Sequence, residues 1–223
     1  MVSNCIAACD YKRISDDDEG LNTGGMGAIS PPTFWNADLE RKIREEIFEP
    51  TAKALVKEGS GFSGMLFGGL MISKSGIKVL EFNCRFGDPE TQVLMPRIES
   101  DILELFQKIS DPKDNSKVFM KVNKLSSAGV VMASGGYPEK YTTGYEINGL
   151  NENISIHDNS IIFQGGAKYS NNGKIITDGG RVLICVGLGD NLDVAKKNAY
   201  STVGLIHFKD MIYRKDIGEN RSL

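Results

Sequence analysis

Glycine placement constrains this chain more than any other feature. The 223 residues include 25 glycines, gathered at Gly24, Gly25 and Gly27, at Gly64, Gly68 and Gly69, at Gly135 and Gly136, at Gly165 and Gly166, and at Gly179 and Gly180. A residue without Cβ allows turns and close backbone approach. Each cluster therefore marks a reversal of the chain or a place where backbone meets another group.

Between the clusters the periodicities differ along the chain. From Ala37 to Glu58 the apolar positions Leu39, Ile43 and Ile47 form one helical stripe, with Asn36 as N-cap, Pro50 as a break and Gly59 past the end, which predicts two short helices or one kinked helix. Met65–Ile72 and Ile77–Asn83 are apolar runs joined by Ser73-Lys74-Ser75-Gly76, the length and chemistry of a hairpin. A helix can start after Asp88-Pro89. Ser100 is placed to cap another, carrying Ile102, Leu105, Phe106 and Ile109. Polar Ser110–Lys117 reads as a boundary. Beyond it the strand candidates Ala128–Ala133, Ile154–His157, Ile161–Phe163, Lys174–Thr177 and Arg181–Val186 are separated by Gly, Asn and Asp turns. Asn191 caps a final helix through Leu192, Ala195, Ala199, Val203 and Ile206. The fold class is α+β, with a β-rich second half.

Charge and composition exclude several functions. With 26 Lys plus Arg against 29 Asp plus Glu the formal net charge is −3, so no overall positive field draws nucleic acid. The apolar runs Gly64–Ile72 and Val182–Leu188 are too short to span a bilayer, and the start of the chain lacks a secretory pattern. A cytoplasmic location without membrane partners is the expectation. Cys5, Cys9, Cys84 and Cys185 show no paired metal spacing and read as reduced thiols. His157 and His207 lie too far apart in the sequence to suggest a metal pair or a Ser/His nucleophile. Chemistry falls to carboxylates, amides, Lys, Arg and backbone N–H groups.

Two segments could carry it. In Lys78-Val79-Leu80-Glu81-Phe82-Asn83-Cys84-Arg85 strand alternation puts Glu81 and Asn83 on one face, with Leu80 and Phe82 on the other. A carboxylate and an amide carbonyl side by side suit Mg²⁺, which takes oxygen ligands and keeps positions for water or phosphate. If the strand persists one more step, Arg85 lies beside them with a planar donor fork. A solvated amphipathic strand is the alternative reading. The second segment is Asn22-Thr23-Gly24-Gly25-Met26-Gly27, whose N–H groups could converge on a phosphate or carboxylate. It is neither a P-loop nor a dinucleotide-binding turn, and a plain turn remains open. The preceding acidic run Asp16–Glu19 reads as a solvated loop, and Lys12 and Arg13 as local positive charges.

Together these strings resemble one family. Asp10-x-Lys12-Arg13, Asn22–Ala28, the dodecapeptide Glu81-Phe82-Asn83-Cys84-Arg85-Phe86-Gly87-Asp88-Pro89-Glu90-Thr91-Gln92, Gly179-Gly180-Arg181-Val182-Leu183 and Arg214-Lys215-Asp216-Ile217-Gly218 occur in the order found in phosphoribosylamine–glycine ligases, also called glycinamide ribonucleotide synthetases. The resemblance implies an ATP-grasp large lobe, an antiparallel sheet with helices, over residues 1–108. A linker at 109–125 and a small β-rich C-terminal domain at 126–223 would follow. It implies ATP-dependent joining of glycine to 5-phosphoribosylamine in purine synthesis, through glycyl phosphate, with ADP and phosphate released.

By the same resemblance Glu81 and Asn83 hold Mg²⁺ (or Mn²⁺) at the ATP phosphates and Arg85 steadies the transferring group. Lys12 and Asp88 join Arg85 as catalytic candidates. Asp10, Asn22, Thr23, Gly24, Gly25, Met26, Gly27, Glu90 and Arg181 would contact phosphate or amine groups of the substrates. Cys9, Tyr11, Leu21 and Gln164-Gly165-Gly166-Ala167 depart from the family's usual letters. Nothing here resembles the family's N-terminal α/β domain or its ATP-grasp small lobe. The expectation is therefore a partial enzyme, inactive alone, whose further partner is the N-terminal half, with a segment of a multifunctional purine enzyme also open. The competing readings are another ATP-grasp carboxylate–amine ligase and a non-catalytic scaffold.

Overall fold

The structure is a computed structural model that describes residues 2–111, 118–150 and 159–219. The strand expected at Ile154–His157 lies outside the described residues. In chain order the strands are β1 (Cys9–Asp10), β2 (Gly27–Ser30), β3 (Phe67–Ser73), β4 (Gly76–Asn83), β5 (Ser126–Ser134), β6 (Ser160–Gln164), β7 (Ala167–Tyr169), β8 (Ile175–Thr177), β9 (Arg181–Gly189) and β10 (Met211–Ile212). The α-helices are α1 (Ala37–Ile43), α2 (Glu49–Lys57), α3 (Glu90–Leu94), α4 (Ile102–Ser110) and α5 (Leu192–Val203).

The main sheet has the order β1-β2-β5-β9-β6, with β10 also pairing β5. Its centre is the antiparallel pair β5 and β9, running from Ser126 opposite Gly189 to Ala133 opposite Arg181. Both strands are apolar almost throughout because both faces of the sheet are covered. Val130 and Met132 of β5 join Leu183, Cys185 and the Ala195, Ala199 and Val203 stripe of α5 in one cluster. Val131 and Ala133 point the other way, with Ile184, Val186, Met26, Ala28 and Val93 of α3. Period-two alternation thus sends successive side chains to two different cores.

β1 and β2 were not anticipated as strands, and they change the layout. Gly27–Ser30 pairs with Val130–Ser127 of β5, so the sheet runs across the division expected between residues 108 and 126. The described part of the expected linker is also anchored: Asn123 N–H donates to the Arg97 carbonyl (2.8 Å), Glu99 N–H donates to Lys121 O (2.8 Å) and Arg97 Nε donates to Leu125 O (2.7 Å).

The helical region between Ala37 and Lys57 is continuous, with a π-helical stretch at Arg44–Phe48 between α1 and α2. Pro50 sits in the first turn of α2. It has no N–H to return to the preceding turn, so the wider stretch absorbs the missing bond instead of a break. Asn36 caps α1, accepting from Leu39 N–H (2.9 Å), and Asn191 caps α5, accepting from Val194 N–H (3.0 Å). The cap of α4 is Asp101 and not Ser100. Its carboxylate accepts from Leu103 and Glu104 N–H groups, while Ser100 Oγ accepts from Lys121 N–H (2.8 Å).

β3 and β4 form the expected hairpin as a separate two-stranded sheet closed by the Ser73–Gly76 turn. Its register shifts once: Val79 opposes Leu70 and Glu81 opposes Gly69, which leaves Leu80 over as a bulge. No described helix is long and apolar enough to cross a membrane. All four cysteines are free thiols, and burial pushes the Cys185 thiol up to about 12.

Candidate functional site

Beyond the bulge the β3–β4 ladder is regular. Glu81 opposes Gly69, Phe82 opposes Gly68 and Asn83 opposes Phe67, so Glu81 and Asn83 share a face and Phe82 takes the other. Phe82 meets Phe48 edge-on, with ring centroids 6.0 Å apart. Leu80 does not join it, because the bulge turns that residue out to 65% exposure. Arg85 lies past the end of the strand with its guanidinium donating to the Phe86 carbonyl (2.7 Å), so the expected row of three aligned polar groups is a row of two.

The remaining candidates come together elsewhere, around β1 and the start of α3. Asp10 ends β1 with its carboxylate largely buried and ion-paired to Lys12. The chain turns back so that Thr23 N–H and Oγ1–H both donate to Lys12 O (2.8 and 2.9 Å), and Thr23 Oγ1 in turn accepts from Gly25 N–H (2.9 Å). Gly25 has φ +116°. A Cβ there would lie 2.4 Å from Pro89 Cδ and 2.7 Å from Asp10 Oδ1, so only glycine lets this loop lie on both the Asp10 carboxylate and the Asp88-Pro89 turn.

From the other end of the chain, Arg181 at the start of β9 donates to Gly24 O (2.9 Å), to Asp88 O (3.2 Å) and to Asp88 Oδ2 (2.8 Å). Glu90, 6% exposed, opens α3 next to them. The Gly87 turn joins this cluster to the metal-type pair. A Cβ on Gly87 would lie 2.4 Å from Glu90 Oε2 and 2.9 Å from the ring of Phe67, and Phe67 faces Asn83.

The electrostatics follow from burial. Asp10 is held above the usual carboxylate range by burial, against the opposing pull of Lys12. Glu90 is raised by burial and then by the Asp10 charge. Burial works against the Lys12 ammonium, but the hydrogen bond and charge of Asp10 keep it above its ordinary value. Lys12 and Arg181 are the cations beside Asp10, Asp88 and Glu90, and Asp88 Oδ1 also accepts from Gln92 Nε2 (3.2 Å). Both cations are already matched to carboxylates, Lys12 to Asp10 and Arg181 to Asp88, so what a ligand meets here is an acceptor surface.

The loop Asn22–Gly27 divides in two. Asn22, Thr23 and Gly24 lie at its outer edge. Met26, by contrast, is fully buried, with its N–H donating to Tyr11 O (2.8 Å) and its carbonyl accepting from Val131 N–H (3.0 Å). Gly27 is a packing glycine, since a Cβ would lie 2.5 Å from the Gly129 carbonyl. Met26 and Gly27 therefore anchor the loop in the sheet.

The acidic run is not a free solvated loop. Arg214, 1% exposed, donates to Asp18 Oδ1 (2.8 Å), to Arg13 O (3.1 Å) and to both oxygens of Asp216, while Asp216 accepts from Asp17 N–H (3.0 Å) and Asp16 accepts from Lys215 N–H (2.7 Å). Sequence reasoning missed Tyr137 as well, whose hydroxyl accepts from Gly24 N–H (2.9 Å). Its only signal was the Gly135-Gly136 cluster just before it.

No group of three or more His, Cys, Asp and Glu side chains placed to hold a metal occurs among the described residues. The donor chemistry of Glu81 and Asn83 still fits a hard divalent cation: one carboxylate and one amide oxygen on an open strand face, with the other coordination positions left to water and phosphate.

Comparison with known proteins matches two family models in sequence order. Residues 1–91 match the phosphoribosylglycinamide synthetase ATP-grasp (A) domain, and residues 127–220 match the C domain of the same synthetase. Phosphoribosylamine–glycine ligase of Escherichia coli K12 is 44% identical over 211 residues, covering 94% of this chain and 48% of that protein. The trifunctional purine biosynthetic protein adenosine-3 of Gallus gallus is 44% identical over 95% of this chain and 21% of its own length. Among solved structures, phosphoribosylamine–glycine ligase from Thermotoga maritima superposes with a TM-score of 0.78 at 34% identity, over 94% of this chain and 50% of that one. The biotin carboxylase domain of a Hydrogenobacter thermophilus 2-oxoglutarate carboxylase shares the fold alone, with a TM-score of 0.59 at 13% identity. The chain spans about half the length of the single-activity ligases it matches.

Proposed function

Because the chain belongs to the phosphoribosylglycinamide synthetase family, we propose that it is the part of an ATP-dependent ligase that binds the metal and the amine, joining glycine to 5-phosphoribosylamine. In this reading Glu81 and Asn83 would hold Mg²⁺, which supplies charge neutralisation at the ATP phosphates. The glycine carboxylate attacks the γ-phosphate and ADP leaves. The phosphoribosylamine nitrogen then attacks the glycyl phosphate carbonyl, losing a proton as phosphate departs. Such phosphoryl transfer depends on positioning and charge more than on proton shuttling.

The chain's own groups divide the work. Asp10 and Glu90 form the pocket for an amine: two buried carboxylates that repel each other are best neutralised by an ammonium between them. Lys12 and Arg181 keep the carboxylates in place and are not the main phosphate cations, because each already has a carboxylate partner. Asn22, Thr23 and Gly24 border the pocket. Arg85, exposed and close in sequence to Asn83, remains free to turn towards a phosphoryl group. ATP, glycine and 5-phosphoribosylamine are the proposed small-molecule partners, the family's N-terminal half is the proposed protein partner, and the cytoplasm is the proposed location.

The observation that carries this reading is the convergence of Asp10, Lys12, Asp88, Glu90 and Arg181, drawn from both ends of the chain, beside the Gly87 turn that leads to Glu81 and Asn83. A coupled ADP-release assay with glycine and phosphoribosylamine tests it. In a full-length ligase containing this segment, Glu81→Gln is expected to lower Mg²⁺-dependent turnover by about 100-fold or more, the usual cost of losing one such electrostatic contact. A loss below about twofold would remove Glu81 from the metal site. The chain alone is expected to show negligible turnover. The scaffold alternative is disfavoured because a fold without chemistry has no use for a Glu90 carboxylate raised first by burial and then by the Asp10 charge.

A further inference from the structure

In the loop that borders the proposed amine pocket, one residue is hydrogen-bonded on both sides by side chains from the second half of the chain. Gly24 has both backbone polar groups taken by side chains from beyond residue 130: its N–H donates to Tyr137 Oη (2.9 Å) and its carbonyl accepts from Arg181 (2.9 Å). The fit is close. A Cβ on Gly24 would lie 3.0 Å from Arg181 Cζ and 3.2 Å from the Tyr137 hydroxyl.

Tyr137 is itself held. Its ring lies over Gly180, where a Cβ would come within 2.3 Å of Cδ2, and tilts against Tyr141 with centroids 6.3 Å apart. Its N–H donates to Ser134 O at the end of β5 (3.1 Å). The next residue in the loop, Gly25, lies directly on the Asp10 carboxylate. The Tyr137 hydroxyl, in the turn after β5, and Arg181 at the start of β9 thus both hold the residue that precedes Gly25 over Asp10.

We propose that Tyr137 is a positioning residue of the amine pocket, acting through Gly24 to keep Gly25 over Asp10. The inference deepens the proposed function and rests on it for the word pocket, but its geometry can be tested without turnover. Asp10 is faced by Lys12 of its own segment, Glu90 and Asp88 at the start of α3, and Arg181 of β9. None of these changes when the Tyr137 hydroxyl is removed.

The test is Tyr137→Phe in the full chain, which keeps the ring packing and deletes only the hydroxyl. Amide exchange at Gly24 and the ¹³C titration of the Asp10 carboxyl are followed by NMR, together with the thermal midpoint. The expected result is Gly24 exchange faster by about fivefold, as for the loss of one ordinary hydrogen bond. The Asp10 titration moves down towards the usual carboxylate range as water reaches it, and the thermal midpoint stays within about 2 °C. Unchanged exchange at Gly24, or an unchanged Asp10 titration, would overturn the proposal. So would faster exchange spread equally over β5 with a lowered midpoint, because the hydroxyl would then be serving the whole sheet. If Glu81→Gln spared activity while these signatures appeared, the functional reading would fail and the positioning would stand.

Discussion

The central sheet and the β3–β4 hairpin are both antiparallel and both rich in apolar residues, yet they are buried very differently. β9 reads Val182-Leu183-Ile184-Cys185-Val186 with every residue buried, between α5 on one face and α3 on the other. β4 reads Ile77-Lys78-Val79-Leu80-Glu81-Phe82, and Val79, Leu80 and Phe82 are all exposed, as is Met71 on β3 at 54%. An apolar strand is stabilised by what covers it, and a two-stranded hairpin has little cover of its own. The first region is where folding energy is concentrated, and the second is where the metal-type pair is displayed. The proposed amine pocket lies between them, on β1, the Asn22–Gly25 loop and α3.

Three substitutions would break or sharpen this contrast. The largest expected effect belongs to the tail against the sheet. Arg214→Ala leaves Asp216 and Asp18 without their guanidinium and removes the ring contact with Tyr11, 5.2 Å from its centroid. Removing one partner of a buried ion pair costs about 3 kcal/mol or more, read as a drop in the urea midpoint. A loss under about 1 kcal/mol would mean that the acidic run is not pinned as described.

The middle effect belongs to the pocket and has the opposite sign. Asp10 and Glu90 are both raised in the folded chain, so the folded state holds more protons than the unfolded one above the ordinary carboxylate range. Their contribution to stability is full below that range and is lost as pH rises through it towards the folded values. Glu90→Gln removes one of the two charges and is expected to stabilise the chain by about 1 kcal/mol at pH 7 and by less at pH 4. In the full-length ligase it should weaken binding of the amine held by the proposed pocket at the same time. Greater stability at pH 4 than at pH 7 from this substitution would contradict the burial of the pair. The smallest effect belongs to the hairpin: Leu80→Ser is expected to change stability by no more than about 0.5 kcal/mol, and a drop above about 1.5 kcal/mol would show that the bulge residue is covered after all.

The exposed apolar strand face also explains why one sequence expectation failed. Alternation assigned Leu80 and Phe82 to one shared face, but alternation assumes an unbroken ladder, and the bulge between Val79 and Glu81 interrupts it. The same rule succeeded for Glu81 and Asn83 because both lie beyond the bulge. Ser100 was read as a cap on residue type alone, and Asp101 took the position because its carboxylate reaches two N–H groups at once. Met26 and Gly27 were read with their loop because no local pattern separates a ligand-facing glycine from one pressed against the Gly129 carbonyl.

Local rules were enough to determine the Ser73–Gly76 hairpin, the caps at Asn36 and Asn191, the shared face of Glu81 and Asn83, and the family strings themselves. Each depends on residues within a few positions of one another, where backbone geometry leaves little choice. The tertiary structure alone decided that β2 would pair with β5, that Arg181 would reach Asp88 and Gly24, and that Asp10 would sit by Glu90. Those contacts depend on which segment finds which partner across 80 residues or more, a choice made by the burial of two sheet faces at once and carried by no short stretch of letters.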